Sequence, residues 1–144
     1  MVDKLLSTPA QRVLEKALGA SGLAHEVIAH NLANVETPGF KRSEVLFQAR
    51  LASALAALEG SDGSLKGART NARHLPIGEA PSLDAVEPEV VVRAETSLRP
   101  DGNNVDLDSE MVKLSENQML YETLAQLVRM KLTSLRSAIT EGRR

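Results

Sequence analysis

The sequence predicts a mainly α protein in which a long N-terminal helix and a long C-terminal helix pair in an antiparallel, coiled-coil-like arrangement. Apolar residues recur with helical spacing near both ends of the 144-residue chain, and only 2% of its residues are aromatic. Leu, Val and Ala suit helix seams better than a thick core, which normally holds more large rings. We divide the chain into an N-terminal helix (1–35), a middle segment (36–100) and a C-terminal turn and helix (101–144), which together form one domain.

The first element is an amphipathic helix from about Pro9 to Val35. Its apolar stripe comprises Leu14, Ala17, Leu18, Ala24, Val27, Ile28, Leu32 and Val35. Gly19 and Gly22 interrupt this stripe and each costs about 1 kcal/mol relative to Ala. The helix therefore needs a partner to stay formed.

A defined stop follows this helix. Pro38 disfavours the α conformation at Thr37, and Pro38-Gly39 fits the two central positions of a type II turn. We therefore expect the helix to end near Val35 and the chain to turn back at once.

The middle segment has weaker signals. A short second helix is indicated by Val45, Leu46, Leu51, Leu55 and Leu58. The stretch from Gly60 to about Glu87 is rich in Gly, Ser and Pro, which predicts a long exposed or flexible loop. Residues 89–95 predict one short strand, and residues 105–107 are a candidate partner for it.

The C-terminal region has the strongest periodicity. Its heptad positions are Leu107, Met111, Leu114, Gln118, Tyr121, Ala125, Val128, Leu132, Leu135 and Ile139, of which only Gln118 is polar. They predict a helix of about 50 Å at a rise of 1.5 Å per residue. Asp106 or Asp108 is expected to cap its start, with Glu110 in the first turn.

The charges of this helix are polarised. Residues 101–122 hold six acidic residues against Lys113, whereas residues 123–144 hold five basic residues against Glu141. Two interpretations remain open: complementarity to the helix dipole, and end-to-end stacking of copies. A single helix pair would also leave much of both apolar stripes exposed, so further copies or partners are expected to cover them.

Candidate catalytic and metal-binding patterns fail on spacing. His25 and His30 lie five residues apart, about 140° around a helix, so they cannot share one metal on one face. The segment from Asp101 resembles the start of a calcium loop but lacks Gly at the sixth position and has Val112 at the twelfth. His74 is expected to be an exposed loop residue. With no cysteine in the chain, we predict no catalytic, cofactor-binding or metal-binding residues.

Composition and charge also limit the partners. A formal charge of −2 argues against nucleic-acid binding, and no stretch is apolar enough to insert directly into a membrane. The first nine residues lack the apolar run of a cleavable signal peptide. Taken alone, these features predict a cytoplasmic protein.

Two motifs then resemble a known family. The first comprises Asn31, Leu32, Ala33, Asn34, Val35, Thr37, Pro38, Gly39 and Phe40, and it resembles the N-terminal motif of the bacterial flagellar axial proteins of the rod and hook. Residues 101–111, with Glu116, Asn117 and Tyr121, are similar to the start of the C-terminal helix in short proximal-rod members. The chain departs from the family pattern at His30, Glu36 and Phe40.

This resemblance implies a non-enzymatic structural subunit of the flagellar basal body, in the proximal rod that transmits torque and connects the membrane ring to the distal rod and hook. The implied partners are copies of itself, other rod proteins, the adaptor between membrane ring and rod, and the flagellar type III export apparatus. The implied location is the periplasmic space, reached without signal cleavage, which replaces the cytoplasmic interpretation.

The resemblance also assigns roles to single residues. Leu107, Met111, Leu114, Tyr121, Ala125, Val128, Leu132, Leu135 and Ile139 become assembly heptads that pack against the N-terminal helix and neighbouring subunits. Phe47 and Leu51 resemble a short element that early rod and hook proteins present to the export gate, although packing of the second helix explains Phe47 equally well. The alternatives are another short axial rod protein, or a soluble helical adaptor or export chaperone that forms a closed oligomer.

Overall fold

The computed structural model describes residues 8–60, 83–94 and 99–141. Its elements are α1 (Pro9–Ala33), β1 (Ser43–Leu46), α2 (Gln48–Gly60), a 3-10 turn (Leu83–Ala85), β2 (Glu89–Val92) and α3 (Leu107–Glu141). Long terminal helices, a short helix and a small sheet between them confirm the predicted fold class.

Helix α1 begins and ends with local hydrogen bonds that its sequence supplies. Thr8 is extended, and its side-chain oxygen accepts a hydrogen bond of 3.3 Å from the backbone N–H of Gln11, with Pro9 at the first helical position. The helix ends at Ala33, two residues before the predicted boundary at Val35. It ends there because Asn34 leaves the helical conformation, at φ −106° and ψ 15°, while its N–H still reaches the last carbonyls.

Helix α3 is capped by Asp106. Its Oδ1 accepts from the backbone N–H of Asp108 at 3.1 Å and of Ser109 at 3.5 Å. The structure therefore decides between the two predicted caps, and Asp108 instead lies in the first turn, where its charge complements the helix dipole.

The two long helices run antiparallel along each other. The hydroxyl of Ser21 donates to Asn117 Oδ1 at 2.9 Å, and Asn117 Nδ2 donates to the carbonyl of Ser21 at 3.0 Å. Ten residues further along α1, Asn31 contacts Glu110, which lies seven residues earlier in α3. This confirms the predicted pairing. Because α1 has 25 residues and α3 has 35, α3 is longer by about 15 Å.

The sheet differs from the prediction. β1 pairs antiparallel with β2, with Ser43 opposite Val92 and Leu46 opposite Glu89. The candidate pairing of residues 105–107 with this strand was wrong, because that segment leads into α3. The prediction that Val45 and Leu46 belong to the second helix was also wrong, because they lie in β1, the strand that pairs with β2. The second helix starts only at Gln48.

The apolar core sits where α1, α2 and the 3-10 turn meet. Ala20, Phe47, Ala54 and Val86 form a buried cluster, and Leu51 packs against it. Lys16 Nζ donates to the carbonyl of Val86 at 2.8 Å, which ties this segment to α1. The core is made largely of small side chains, in line with the low aromatic content.

Most of the loop predicted from Gly60 to Glu87 lies outside the described residues, and its described part holds the 3-10 turn and buried Val86. Within the described ranges, none of the helices combines the length and hydropathy needed to span a membrane.

Candidate assembly site

Asn31 joins three elements at one end of the helix pair. It is fully buried, and its side-chain amide is paired twice with the backbone of Ser43 at the start of β1: Nδ2 donates to the carbonyl at 2.8 Å, and Oδ1 accepts from the N–H at 2.9 Å. The same Nδ2 donates to Glu110 Oε2 on α3 at 3.0 Å. One side chain of the first motif therefore connects α1, β1 and α3.

Glu110 completes this contact from the other helix. Its side chain is 2% exposed, and Oε1 accepts from Lys113 Nζ at 2.6 Å. A buried carboxylate is tolerated when it is hydrogen-bonded and paired with a cation, as here. Glu110 thus does more than complement the helix dipole: it anchors the start of α3 to the end of α1.

The turn after α1 has the predicted geometry. The N–H of Phe40 donates to the carbonyl of Thr37 at 3.3 Å, and Gly39 has a φ of 72°, as the third position of a type II turn requires. The N–H of Gly39 then donates to the carbonyl of Asp101 at 2.8 Å. The turn of the first motif is therefore bonded directly to the second motif.

Asn103 of the second motif serves the end of α1. It is fully buried, and Nδ2 lies within hydrogen-bond distance of the carbonyls of Asn34, Val35 and Thr37, at 2.9, 3.0 and 2.9 Å. The last backbone carbonyls of a helix have no hydrogen-bond donor within the helix and need one from elsewhere. Asn103 supplies the donors, while its Oδ1 accepts from the N–H of Val105 at 2.7 Å.

Asn104 ties the same junction to the sheet. Its Oδ1 accepts from the N–H of Arg42, and its Nδ2 donates to the carbonyl of Arg93, both at 2.8 Å. Lys41 Nζ donates to the carbonyl of Gly102, also at 2.8 Å. The two motifs, about sixty residues apart in sequence, therefore form one structural unit, which we call the polar junction.

The remaining members of the first motif line the outside of this junction. Leu32 and Val35 are half-buried, whereas Ala33, Thr37 and Pro38 are exposed. Asn34 Oδ1 accepts from the hydroxyl of Thr37 at 3.2 Å. These residues shape the turn, and the exposed ones are available to a neighbouring molecule.

Two positions that depart from the family pattern contact each other. The rings of His30 and Phe40 meet edge to face, with centroids 5.4 Å apart and planes inclined at 61°. The aromatic ring of Phe40 therefore packs over the last turn of α1, and the histidine supplies the surface on which it rests.

Only part of the predicted heptad lies at the contact with α1, where Ala125, Val128 and Leu132 line a cleft together with Leu18 of α1. Glu110 and Asn117 form hydrogen bonds with α1, and Leu124 is buried; each lies one residue before a position of the predicted stripe, namely Met111, Gln118 and Ala125. One residue corresponds to about 100° around a helix. Half-buried residues lie between the side of α3 that contacts α1 and the exposed side; they are Leu114, Val128 and Leu135.

The exposed part of the predicted stripe forms a second apolar face beside the contact with α1. Its exposed fractions are 48% for Leu107, 47% for Met111, 45% for Tyr121, 53% for Leu132 and 67% for Ile139. With Ala125, these residues run the length of the helix, and we call them the open stripe. Helices with such uncovered apolar faces pack against further molecules.

Sequence reasoning missed the face that α1 occupies. Ser21 and Leu124 had no assigned role, although Leu124 is 9% exposed and Ser21 is 4% exposed. A heptad that starts one residue earlier, at Glu110, Asn117 and Leu124, was the available signal. Two of these three positions are polar, so an apolar periodicity does not include them.

A groove lies beside the contact between α1 and α3, on the side opposite to the open stripe. Its volume is about 460 Å³, and it is bounded by α1, β1, the start of α2 and α3. Its apolar lining includes Ala20, Ala24, Leu46, Ala49, Leu120 and Leu124. We call it the apolar groove.

The candidate export element lies in the core. Phe47 is 6% exposed, and Leu51 packs against the buried cluster that contains it. Both side chains are therefore engaged in the folded chain, as the packing explanation requires. An export receptor could reach Phe47 only before this core forms.

Neither histidine considered as a metal ligand belongs to a cluster of ligand residues in the described part of the chain. Both His25 and His30 are exposed on α1, and the described residues contain no group of three or more His, Cys, Asp or Glu side chains suited to a metal ion. His74 lies outside the described residues.

The two long helices are paired, a polar junction joins them at one end, and apolar faces of α3 remain uncovered. These features are typical of a helical structural protein that assembles with further subunits. Comparisons with known proteins specify it further. The chain is 32% identical over 130 residues to the flagellar basal body rod protein FlgB of Bacillus subtilis, covering 90% of this chain and 92% of the relative. It is 40% identical over 118 residues to FlgB of Borrelia hermsii, covering 76% and 80%.

A third relative, FlgB of Salmonella typhimurium, is 28% identical over 142 residues, and the alignment covers 99% of this chain and 99% of the relative. No protein-family model matches the chain. The chain belongs to the FlgB family of flagellar basal body rod proteins. It is a structural subunit of the flagellar basal body rod.

Proposed function

We propose that this chain builds the proximal part of the rod, in the periplasmic space, as a non-catalytic subunit that transmits torque through side-by-side helices. The single observation that carries the proposal is the open stripe of α3, which exposes Met111, Leu132 and Ile139 to solvent in the isolated chain. Full burial of an exposed side chain of this size is favourable by about 1.5–3 kcal/mol, so covering these half-exposed side chains is favourable by roughly half of that each. A subunit that keeps them exposed gains this free energy only on assembly.

The polar junction supports the same role from the other end of the helix pair. Asn31, Asn103 and Glu110 hold the ends of α1 and α3 together through buried hydrogen bonds, so the pair resists sliding and separation. A shaft that turns under load needs such a fixed register within each subunit. The Pro38-Gly39 turn then sets the direction in which the chain leaves the helix pair.

The proposed partners are copies of the chain, other rod proteins and the adaptor between the membrane ring and the rod. Delivery by the flagellar type III apparatus fits the burial of Phe47, because an export signal inside the core is readable only in an unfolded chain. In this proposal, Phe47 and Leu51 act first in export and then in the core.

The test compares two aspartate substitutions on α3. Leu132→Asp places a charge in the open stripe, whereas Gln126→Asp places one on another exposed face of the same helix. Both positions are exposed, so both variants are expected to fold and express equally. We expect Leu132→Asp to abolish incorporation into basal bodies and swimming, and Gln126→Asp to retain both.

Normal swimming of the Leu132→Asp strain would contradict this proposal. Sedimentation and electron microscopy at rising concentration then separate a rod subunit from a closed adaptor. A rod subunit forms open assemblies, alone or with its rod partners, whereas an adaptor or chaperone stops at a fixed size.

A further inference from the structure

The open stripe and the apolar groove lie on different sides of the contact between α1 and α3. Leu132 represents the open stripe and Leu120 lines the groove; they are twelve residues apart, which places them about 120° apart around α3. Leu124, between these two directions, is buried on the side of α1. The chain thus presents two distinct apolar surfaces on different sides of α3.

The charges around these two surfaces are opposite in sign. Arg129 and Arg136 border the open stripe, where with Leu18 and Leu132 they line a shallow cleft. Neither arginine forms an ion pair with any of the described residues. Glu44 lines the apolar groove but is already paired with Arg93 at 2.9 Å, whereas exposed Glu116, which forms none of the ion pairs seen in the described residues, lies one helical turn before Leu120. One side of α3 therefore carries two basic side chains, and the groove on its other side is bordered by the acidic side chain of Glu116.

Resting on the rod function proposed above, we propose that the open stripe of one copy packs into the apolar groove of the next copy. Because the two surfaces differ, the contact is heterologous, and its repetition produces a ring or an open helical assembly, not a closed two-fold dimer. The groove is concave and lined by small residues such as Ala20, Ala24 and Ala49, which lets a helix ridge approach closely.

The charge pattern also gives the relative position of the copies. Neighbouring α3 helices that run in the same direction bring Arg129 of one beside Glu116 of the next only when they are displaced axially by about 20 Å. This displacement places the basic half of one α3 against the acidic half of the other. It gives the charge polarisation of the helix a role in assembly.

Disulfide trapping tests the contact directly, because the natural chain contains no cysteine. We would introduce Leu132→Cys in the open stripe together with Ala49→Cys in the groove, and express the chain in a flagellated bacterium that lacks its own copy. Basal bodies are then isolated, oxidised mildly and separated by non-reducing electrophoresis. We expect a ladder of cross-linked multimers from this pair, because each copy links to the next.

Matched variants define the outcome. Gln126→Cys with Ala49→Cys is the control pair and is expected to give no ladder, and each single variant is expected to remain monomeric on the gel. A dimer band from Leu132→Cys alone would show that two open stripes face each other and would overturn the proposal. Two further pairs, Ala125→Cys with Ala49→Cys and Ile139→Cys with Ala49→Cys, test whether the neighbouring copy is displaced along the helix axis. If none of the three stripe positions forms a cross-link, the proposal is also overturned.

Exchanging the charges at positions 116 and 129 provides a second, independent test of the proposed contact. Glu116→Arg or Arg129→Glu alone is expected to lower the number of assembled rods, and the double variant is expected to restore it. No rescue by the double variant contradicts the axial displacement. If the variant chains are absent from basal bodies that otherwise assemble, the rod function itself fails; if they are present without cross-links, only the proposed contact fails.

Discussion

Asn31 and Glu110, which are 79 residues apart in the sequence, are joined by a buried hydrogen bond of 3.0 Å. This bond connects the last turn of α1 to the first turn of α3, while Asn31 also holds the start of β1. The relationship explains why two separate sequence motifs belong together: each supplies half of one polar junction.

Replacing Asn31 by Leu should destabilise the isolated chain by about 2–4 kcal/mol, because it leaves the carboxylate of Glu110 and the backbone of Ser43 buried without this partner. Urea unfolding followed by circular dichroism measures the change. Asn31→Asp, which keeps the shape but places a second carboxylate beside Glu110, should be at least as destabilising. A loss below about 0.5 kcal/mol, typical of a surface substitution, would show that the junction contributes little.

Asn103→Ala should cost about 2–3 kcal/mol, because the substitution removes the donor that reaches three carbonyls at the end of α1. Hydrogen exchange should show faster exchange at the turn formed by residues 34–40 than in the middle of α1. Gln126→Ala on the exposed face of α3 is the comparison, with no expected change. Equal stability of the two variants would contradict the capping role of Asn103.

Glycine-to-alanine substitutions should have opposite signs at two positions. Gly39 has a φ of 72°, so Gly39→Ala should destabilise the chain by about 1–2 kcal/mol. Gly22 is helical, and a Cβ placed there meets no atom within 4 Å, so Gly22→Ala should stabilise it by about 1 kcal/mol. Thermal melts of both variants beside the natural chain measure the difference; the same sign at both positions would be inconsistent with this backbone assignment.

Phe47→Leu separates export from packing. We expect it to cost about 1–2 kcal/mol of folding stability, similar to Val86→Ala in the same buried cluster. If Phe47 acts in export, the Phe47→Leu chain should accumulate inside the cell, while the Val86→Ala chain should reach the periplasm. Immunoblots of cell fractions compare the two; equal export would assign Phe47 to the core alone.

Sequence periodicity found both long helices, and local chemistry found the two cap candidates of α3 and the turn between Thr37 and Phe40, but not the Thr8 cap of α1. These features depend on neighbours within a few residues, which a single sequence displays. Pairing of β1 with β2 was missed because the short Ser43–Leu46 strand lies beside an apolar helix, and its partner is 43 residues or more away. The apolar pattern of so short a segment fits a strand and a helix end equally well.

The sequence by itself determined that this protein is a pair of amphipathic helices, that the chain turns at Pro38-Gly39, and that the C-terminal helix carries a continuous apolar heptad. Only the tertiary structure decided which face of that helix α1 covers. The physical reason is that Glu110 and Asn117 are placed by partners on α1, Asn31 and Ser21, through hydrogen bonds across the interface. Polar contacts of this kind leave no periodic apolar signal, so the stripe that is visible in the sequence coincides only partly with the covered face, and much of it remains exposed in the folded chain.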